Sequence, residues 1–406
     1  MDRTILKNYA ALIARMGVNV QPGQDVVIES ELDQPDFVTM LAEACYDAGA
    51  RRVSVDWTHQ PLSKLAAQRQ APDVLGATEE WEKARLEHFA QTLPCRIYLL
   101  SDDPDGMSGV DPEKLGAAAQ ARRRAAKPYR DRMENHISWC IAAVPGRAWA
   151  EKLFPGRADA EEALWRAILS ASRALDGDPE AAWRAHNADL RARCDHLNAL
   201  GIRSLRYRAA NGTDLTVGMM REGRFHGGSD ATREGVVFNA NIPSEEVYVS
   251  PKRGEAEGVV YSSKPLSYQG QLIEDFSVRF EGGRAVEVRA AKNEALLRSL
   301  AAMDEGAAYL GECALVPYDS PIRAQELLYY NTLFDENAAC HLALGMGFAE
   351  TVDGFENRTL DECRALGVND SIIHEDFMIG TRDLEIDADT FDGRVVPIFR
   401  GGNWAF

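Results

Sequence analysis

Histidine and carboxylate side chains that could bind a metal ion occur in two segments of the C-terminal half of the chain. His341 lies in Cys-His-Leu-Ala-Leu-Gly, while His374 and Asp376 lie in His-Glu-Asp-Phe-Met-Ile-Gly. Side chains two residues apart in a strand point to the same face, so His374 and Asp376 would face one cavity. Imidazole and carboxylate together suit a divalent ion such as zinc, cobalt or manganese. The alternative for so short a motif is a surface strand with mixed polar residues.

Two glutamates stand beside apolar residues that favour strands. Glu246 precedes Val-Tyr-Val, and Glu312 lies within Leu-Gly-Glu-Cys-Ala-Leu. An unpaired charge is costly to bury, and a bound metal ion would explain both carboxylates. A salt bridge or simple exposure would explain either of them singly. The six remaining histidines are interpreted as structural or surface residues.

The first part of the chain alternates between strand and helix signals. Apolar strands are predicted at residues 26–29 and 52–57, separated by a helix at 36–48, which is the spacing of a βαβ unit with parallel strands. Further strands are predicted at 96–100 and 139–144, with a helix at 112–134 between them. No glycine-rich phosphate loop follows these strands, so the sequence does not indicate a nucleotide cofactor.

The second part of the chain has a different pattern of secondary-structure signals. A helical stretch over residues 160–200 leads into short strands and tight turns. Asn211-Gly212 and the segment 281–284 are typical of hairpin turns. The predicted fold class is therefore α/β: a Rossmann-like parallel-sheet N-terminal domain at residues 1–200 and a mixed α+β metal-binding catalytic domain at 201–406.

Composition excludes several classes of partner. The chain has 406 residues and a formal net charge of −18, which repels nucleic acid and anionic membranes. No apolar run has the roughly 18–20 residues of a membrane span. The seven cysteines are odd in number and scattered, which argues against a disulfide framework or a thiolate zinc site. We therefore expect a reducing, cytoplasmic setting.

The segments around these acids and histidines carry a resemblance that extends over the whole chain. Its most specific stretches are residues 316–322 and 330–345, and it closes with the terminal segment 397–406. At these segments the sequence resembles the thermophilic metallo-aminopeptidases, the family of aminopeptidases T and S. The resemblance implies an N-terminal α/β domain, a C-terminal metal-binding domain and a homodimer that acts on peptides with a free N-terminus.

The resemblance also implies a set of metal ligands. They fall on Glu246, Glu312, His341, His374 and Asp376, and they would hold two divalent ions (zinc, cobalt, manganese or magnesium). Such ions would polarise the scissile carbonyl and lower the pKa of a bound water toward about 7. A carboxylate must then take the proton from that water.

The preferred base is Glu312, provided that it contacts only one of the two ions, because a ligand position keeps it within reach of the water. Glu245, Glu336 and Glu375 are the alternatives, with a surface or supporting position as the competing interpretation for each. Asn369 and Ser371 are expected either to support His374 or, for Asn369, to form a turn.

One residue departs from the family pattern. Family members commonly have a tyrosine at the metal site seven residues after the first ligand histidine, and here that residue is Phe348. Phenylalanine can neither bind a metal nor donate a hydrogen bond. Two alternatives stay open for this reason: an enzyme resembling the iron-dependent ring-cleaving dioxygenases, and an inactive metal or peptide binder.

Overall fold

The computed structural model describes residues 1–268 and 270–406, and its first 200 residues alternate between helices and parallel strands as the sequence pattern predicts. The helices here are α1 (Arg3–Leu12), α2 (Pro35–Asp47), α3 (Gln60–Arg69), α4 (Pro72–Leu75), α5 (Glu80–Thr92), α6 (Pro112–Met133), α7 (Arg147–Leu153), α8 (Ala160–Ala171) and α9 (Pro179–Leu200). The strands are β1 (Asp25–Glu31), β2 (Arg52–Thr58), β3 (Cys95–Leu100) and β4 (Trp139–Ala143).

The remaining residues form mainly strands. These are β5 (Ile202–Arg208), β6 (Asp214–Met219), β7 (Asp230–Ala231), β8 (Val237–Phe238), β9 (Val247–Val249), β10 (Pro251–Tyr261), β11 (Leu266–Tyr268), β12 (Gln271–Glu281), β13 (Arg284–Lys292), β14 (Leu310–Leu315), β15 (His341–Gly345), β16 (His374–Met378), β17 (Glu385–Thr390), β18 (Val395–Arg400) and β19 (Asn403–Trp404). The helices are α10 (Glu294–Leu300), α11 (Thr332–Glu336) and α12 (Leu360–Leu366).

Two compact units result: residues 1–187 with 229–244, and residues 188–228 with 245–406. In the first unit β1 to β4 form a parallel sheet in the order β2-β1-β3-β4, and β7 and β8 form a two-stranded antiparallel sheet. The second unit has a nine-stranded antiparallel sheet and a four-stranded antiparallel sheet in the order β16-β15-β14-β9. The predicted α/β fold class is confirmed, and the domain boundary at residue 200 stays a prediction.

The predicted continuous helix over residues 160–200 is wrong. The chain leaves the helical conformation after Ala171 and resumes it at Pro179. Gly177 adopts a positive φ of 75° in the connection, and proline is well suited to the first turn of a new helix. The two predicted hairpins are present, as the pairs β5–β6 and β12–β13.

A large apolar core fills the second unit. It joins residues of the nine-stranded sheet, such as Tyr207 and Phe276, with residues of the four-stranded sheet, such as Leu342 and Phe377. All seven cysteines are buried thiols. None of the helices in the described ranges combines the length and the apolar character needed to cross a bilayer.

Candidate metal centre

The four-stranded sheet of the second unit places the predicted ligands side by side. Glu312 is the third residue of β14, His341 begins β15, and His374 begins β16 with Asp376 two residues later. Glu246 immediately precedes β9, at the opposite edge of the sheet from β16. Each predicted ligand therefore lies in a strand or, in the case of Glu246, immediately before one.

Small residues stand opposite the ligands and leave space between the strands for a site. In the strand register Ala343 lies between Glu312 and Asp376, and Gly345 is paired with His374. Paired residues project to the same face of a sheet, so these acids flank a methyl group instead of a bulky side chain. His341 pairs with Ala314 in the same way. The small residues Ala343 and Gly345 in the Ala-Leu-Gly sequence after His341 thus leave room for the predicted ligand side chains.

The ligand atoms form two clusters that share one carboxylate. Glu246, Glu312 and His341 form the first cluster, and Glu312, His374 and Asp376 form the second, with the ligand atoms of each lying within 4.8 Å of one another. Nε2 of His341 is 3.0 Å from Oε2 of Glu246, and Nε2 of His374 is 3.0 Å from Oε2 of Glu312. Glu312 therefore bridges the two groups.

Backbone carbonyl groups fix the orientation of both histidine rings. Nδ1 of His341 lies 3.0 Å from the carbonyl oxygen of Glu336, and Nδ1 of His374 lies 2.7 Å from that of Met346. A carbonyl oxygen can only accept, so in each ring Nδ1 must carry the hydrogen. In the neutral ring the lone pair is then on Nε2, the atom that faces the carboxylates.

Glu336 interacts electrostatically with both clusters, and the sequence analysis gives it as an alternative base, with a surface or supporting position as the competing interpretation. Its side chain is buried, so the surface position is wrong and the supporting position remains. Burial, and then the charges of Asp376 and Glu246, raise the pKa of Glu336 well above its usual value. The neighbouring Asn337 accepts a hydrogen bond of 2.7 Å from the backbone N–H of Glu245 and donates one of 3.3 Å to Glu336. Asn337 therefore ties the segment before β9 to α11.

The buried carboxylates perturb one another and the histidines. Burial, together with the charges of Asp376 and Glu246, raises the pKa of Glu312 to about 7 despite a hydrogen bond from His374. Burial alone lowers the pKa of His341, but the hydrogen bond and charge of Glu246 outweigh it and raise that pKa well above its ordinary value. The charges of Asp376 and Glu312 do the same for His374. The centre thus has a strong affinity for positive charge.

A divalent cation fits this donor set. Within the described ranges, Oδ1 of Asp376 is buried without a hydrogen bond of good geometry, and Nε2 of His374 lies 3.3 Å from it. Buried polar atoms normally have a partner, and an ion is one of the explanations for an orphan. Imidazole nitrogens and carboxylate oxygens are suitable ligands for zinc, manganese and similar ions.

Phe348 lies at the centre, as its place in the sequence predicts. Its ring centroid is 4.7 Å from that of His374 and 5.7 Å from that of Tyr248. Its backbone N–H donates a 2.7 Å hydrogen bond to Oγ of Ser250. An apolar edge therefore borders the second cluster.

The other residues named from the sequence have supporting positions. Nδ2 of Asn369 donates to the carbonyl oxygens of Gly306 and Gly345, and Oγ of Ser371 donates to Asp304. These two residues hold the backbone around β15 and β16, and neither is hydrogen-bonded to His374. Glu375 lies between His374 and Asp376 on β16, so strand alternation directs its side chain to the other face.

Asn337 is the functional candidate that the sequence analysis missed. The signal was present, because Asp-Glu-Asn-Ala-Ala-Cys-His places an amide four residues before a predicted ligand histidine. The hydrogen bond to Glu245, however, joins residues 92 positions apart. Only the tertiary structure reveals it.

Comparison with known proteins places these residues in a wider context. Residues 2–404 match the family described as thermophilic metalloprotease (M29). The chain is 41% identical to aminopeptidase AmpS of Bacillus subtilis, over 99% of this chain and 98% of that protein. It is 38% identical to aminopeptidase T of Thermus aquaticus, over 98% of each chain. The structure of wild-type AmpT from Thermus thermophilus superposes with a TM-score of 0.88, with 37% identity and full coverage of both chains.

Proposed function

Because the chain belongs to the thermophilic metalloprotease (M29) family, we propose that it is a metal-dependent aminopeptidase with a dinuclear centre. Family membership confirms the resemblance drawn from the sequence. The observation that supports two metal ions is the position of Glu312, whose carboxylate belongs to both ligand clusters. Glu246 and His341 complete one set, and His374 and Asp376 complete the other.

The bound ions would supply Lewis-acid polarisation of the scissile carbonyl and a water of lowered pKa. If Glu312 contacts only one of the ions, its carboxylate would take a proton from the attacking water and return it to the leaving amine. If Glu312 contacts both ions, the buried Glu336 is the alternative base. The carbonyl groups that hold Nδ1 of His341 and His374 keep both Nε2 atoms directed at the centre throughout.

The substrates are proposed to be peptides with a free N-terminus, as the names of the related aminopeptidases indicate. The excess of carboxylates over histidines at the centre favours a positively charged group such as the ammonium group of these peptides. We also propose a homodimer, on the family resemblance, and a cytoplasmic location, on the seven buried thiols.

The test is hydrolysis of aminoacyl-p-nitroanilides by metal-stripped protein that is resupplied separately with zinc, cobalt, manganese or ferrous iron. We expect release of p-nitroaniline that is restored by metal, requires a free amine, and is lost in His341→Ala. An N-acetylated substrate controls for the amine, and His59→Ala, an exposed histidine of the first unit, controls for the substitution.

Absence of release with every metal would overturn the proposal. A second candidate is an iron-dependent dioxygenase, for which the one observation is Phe348, 4.7 Å from the ring of His374, at a position where the family commonly has a tyrosine. Oxygen consumption with a dihydroxylated aromatic substrate, in protein that holds one iron per chain, would support that candidate instead.

A further inference from the structure

The two faces of the parallel sheet in the first unit have opposite character. On one face β1 presents Val26 and Ile28, which are fully buried. On the other face Glu29 lies beside Asp56 of β2, and Arg96 of β3 lies beside Val27. Parallel sheets usually bury apolar residues on both faces. A sheet face that carries charged residues beneath helices is therefore unusual, and its charges call for a physical explanation.

A cavity of about 380 Å³ lies over this charged face, walled by α5 and α6. Its lining includes arginines at positions 85, 96, 122, 123 and 130 against three carboxylates, at positions 29, 56 and 82. The lining of the cavity therefore has an excess of positive charge, although the whole chain has a formal net charge of −18. Phe89 forms part of the wall, with the guanidinium groups of Arg85 and Arg96 at 4.9 Å and 5.6 Å from its ring centroid.

Three of these arginines are neutralised by the carboxylates of the cavity. Arg85 pairs with Asp56, Arg96 with Glu29, and Arg122 with Glu82. Arg123 and Arg130 are different, because within the described residues their side chains form no ion pair or hydrogen bond. They are seven residues apart on α6, hence on one side of the helix, and both line the cavity. Two unpaired guanidinium groups over one cavity favour a bound anion.

An aromatic ring lies beside this positive pair. Trp81 lines the same cavity and is 68% exposed, which is unusual for so large an apolar surface. Indole and guanidinium planes both stack on flat rings. The volume of the cavity lies within the range of small-molecule sites.

We propose that this cavity binds a small phosphate ester that carries a planar ring, the chemistry of a mononucleotide. Arg123 and Arg130 would hold the phosphate dianion, and Trp81 would stack on the ring. The site is on a sheet face and does not use a glycine-rich phosphate loop, so the sequence motif that signals dinucleotide binding is not needed. The proposal is independent of the aminopeptidase function, since it concerns residues of the first unit alone.

The test is isothermal titration of the full-length, metal-loaded protein with adenosine monophosphate. Inorganic phosphate, adenosine and N-acetyltryptophan are titrated separately, to distinguish the phosphate, the ring and an aromatic carboxylate. We expect saturable binding of the monophosphate that is at least about tenfold tighter than that of any of the other three. The double variant Arg123→Ala/Arg130→Ala should weaken it at least about tenfold, and Trp81→Ala should weaken it to a smaller extent.

The matched control is Arg69→Ala/Arg124→Ala, which removes the same charge from exposed positions outside the cavity lining. It should change the affinity by less than about twofold. The metal centre is intact in both double variants, so binding that survives Arg123→Ala/Arg130→Ala would place the phosphate elsewhere and overturn the proposal. Equal affinity for the monophosphate and N-acetyltryptophan, or no saturable binding, would also overturn it.

Discussion

The two histidines of the centre differ in their access to solvent. The side chain of His341 is 1% exposed, whereas that of His374 is 20% exposed. His341 belongs to the cluster with Glu246, and His374 to the cluster with Asp376. The first set of ligands is thus more deeply enclosed, and an ion held there should exchange more slowly.

Single substitutions should distinguish the two sets of ligands by their effects on the metal content of the protein. We expect His341→Ala and His374→Ala each to lower the metal content from two ions to one per chain, and Glu312→Gln to lower the affinity for both because it removes the shared charge. Metal content after dialysis, measured by mass spectrometry, checks this. Each variant should lose at least about 10²-fold in kcat/KM. Retention of two ions in Glu312→Gln would contradict the bridging role.

Replacement of Phe348 by tyrosine would add a polar group to the centre. We expect Phe348→Tyr to raise kcat/KM by about threefold to tenfold, since one added hydrogen bond is worth about 0.5–1.5 kcal/mol. The measurement is steady-state hydrolysis at saturating metal concentration. Phe391→Tyr, which adds the same hydroxyl to a ring that packs under Arg221, is the control. An unchanged or lower kcat/KM would show that this chain does not use a phenol here.

At the scale of elements, the geometry of the centre depends on the end of β15. Gly345 has a φ of 107°, and a Cβ atom on it would lie 2.2 Å from the carbonyl oxygen of Ile373, the residue before His374. Glycine is the residue that tolerates both conditions. Its carbonyl oxygen also accepts a 2.6 Å hydrogen bond from Asn369. The turn after β15 and the start of β16 are therefore fixed together.

Gly345→Ala should disturb both stability and metal binding. We expect the free energy of unfolding to fall by about 2–4 kcal/mol, because the methyl group adds a steric clash to the strain of a positive φ. The control is Gly393→Ala, where φ is 87° but the added Cβ atom meets nothing within 4 Å. That variant should lose only about 1 kcal/mol and keep its metal affinity. Urea unfolding and metal titration of both variants make the comparison, and equal losses would refute the argument.

The sequence predicted the individual helices and strands better than it predicted how the strands pair with one another. The pattern His-x-Asp predicts a strand with both side chains on one face, and β16 has that geometry. The parallel sheet and the two hairpins follow from local signals in the same way. The pairing of Ala343 between Glu312 and Asp376, by contrast, depends on strand register across more than 60 residues, which no local pattern encodes. The hydrogen bond from Glu245 to Asn337 is a second example, because it joins residues 92 positions apart.

At the scale of the whole molecule, the centre makes stability depend on metal. Three buried carboxylates, Glu246, Glu312 and Glu336, lie around two imidazoles together with Asp376, whose side chain is 13% exposed. Cations relieve the mutual repulsion of these carboxylates. Ions that bind only the folded chain stabilise it by mass action.

Removal of metal should therefore lower the melting temperature. At a free-ion concentration of about 1,000 times Kd the stabilisation is about 4 kcal/mol, which corresponds to roughly 5–10 °C. Thermal unfolding followed by circular dichroism with and without a chelator measures the shift. Glu312→Gln should show a smaller shift than the parent chain. A chelator effect that is equal in both would indicate that the ions act elsewhere.

The carbonyl groups that hold Nδ1 of His341 and His374 have a consequence for how the enzyme acquires its ions. Neither ring can flip without losing a backbone hydrogen bond, so both Nε2 atoms stay aimed at the centre whether or not an ion is present. Loading then requires only the loss of water and protons from the incoming ion and its ligands, with no rearrangement of the chain. A stripped protein should recover at the speed of ligand exchange, and it should accept whichever suitable ion the cell supplies in greatest amount.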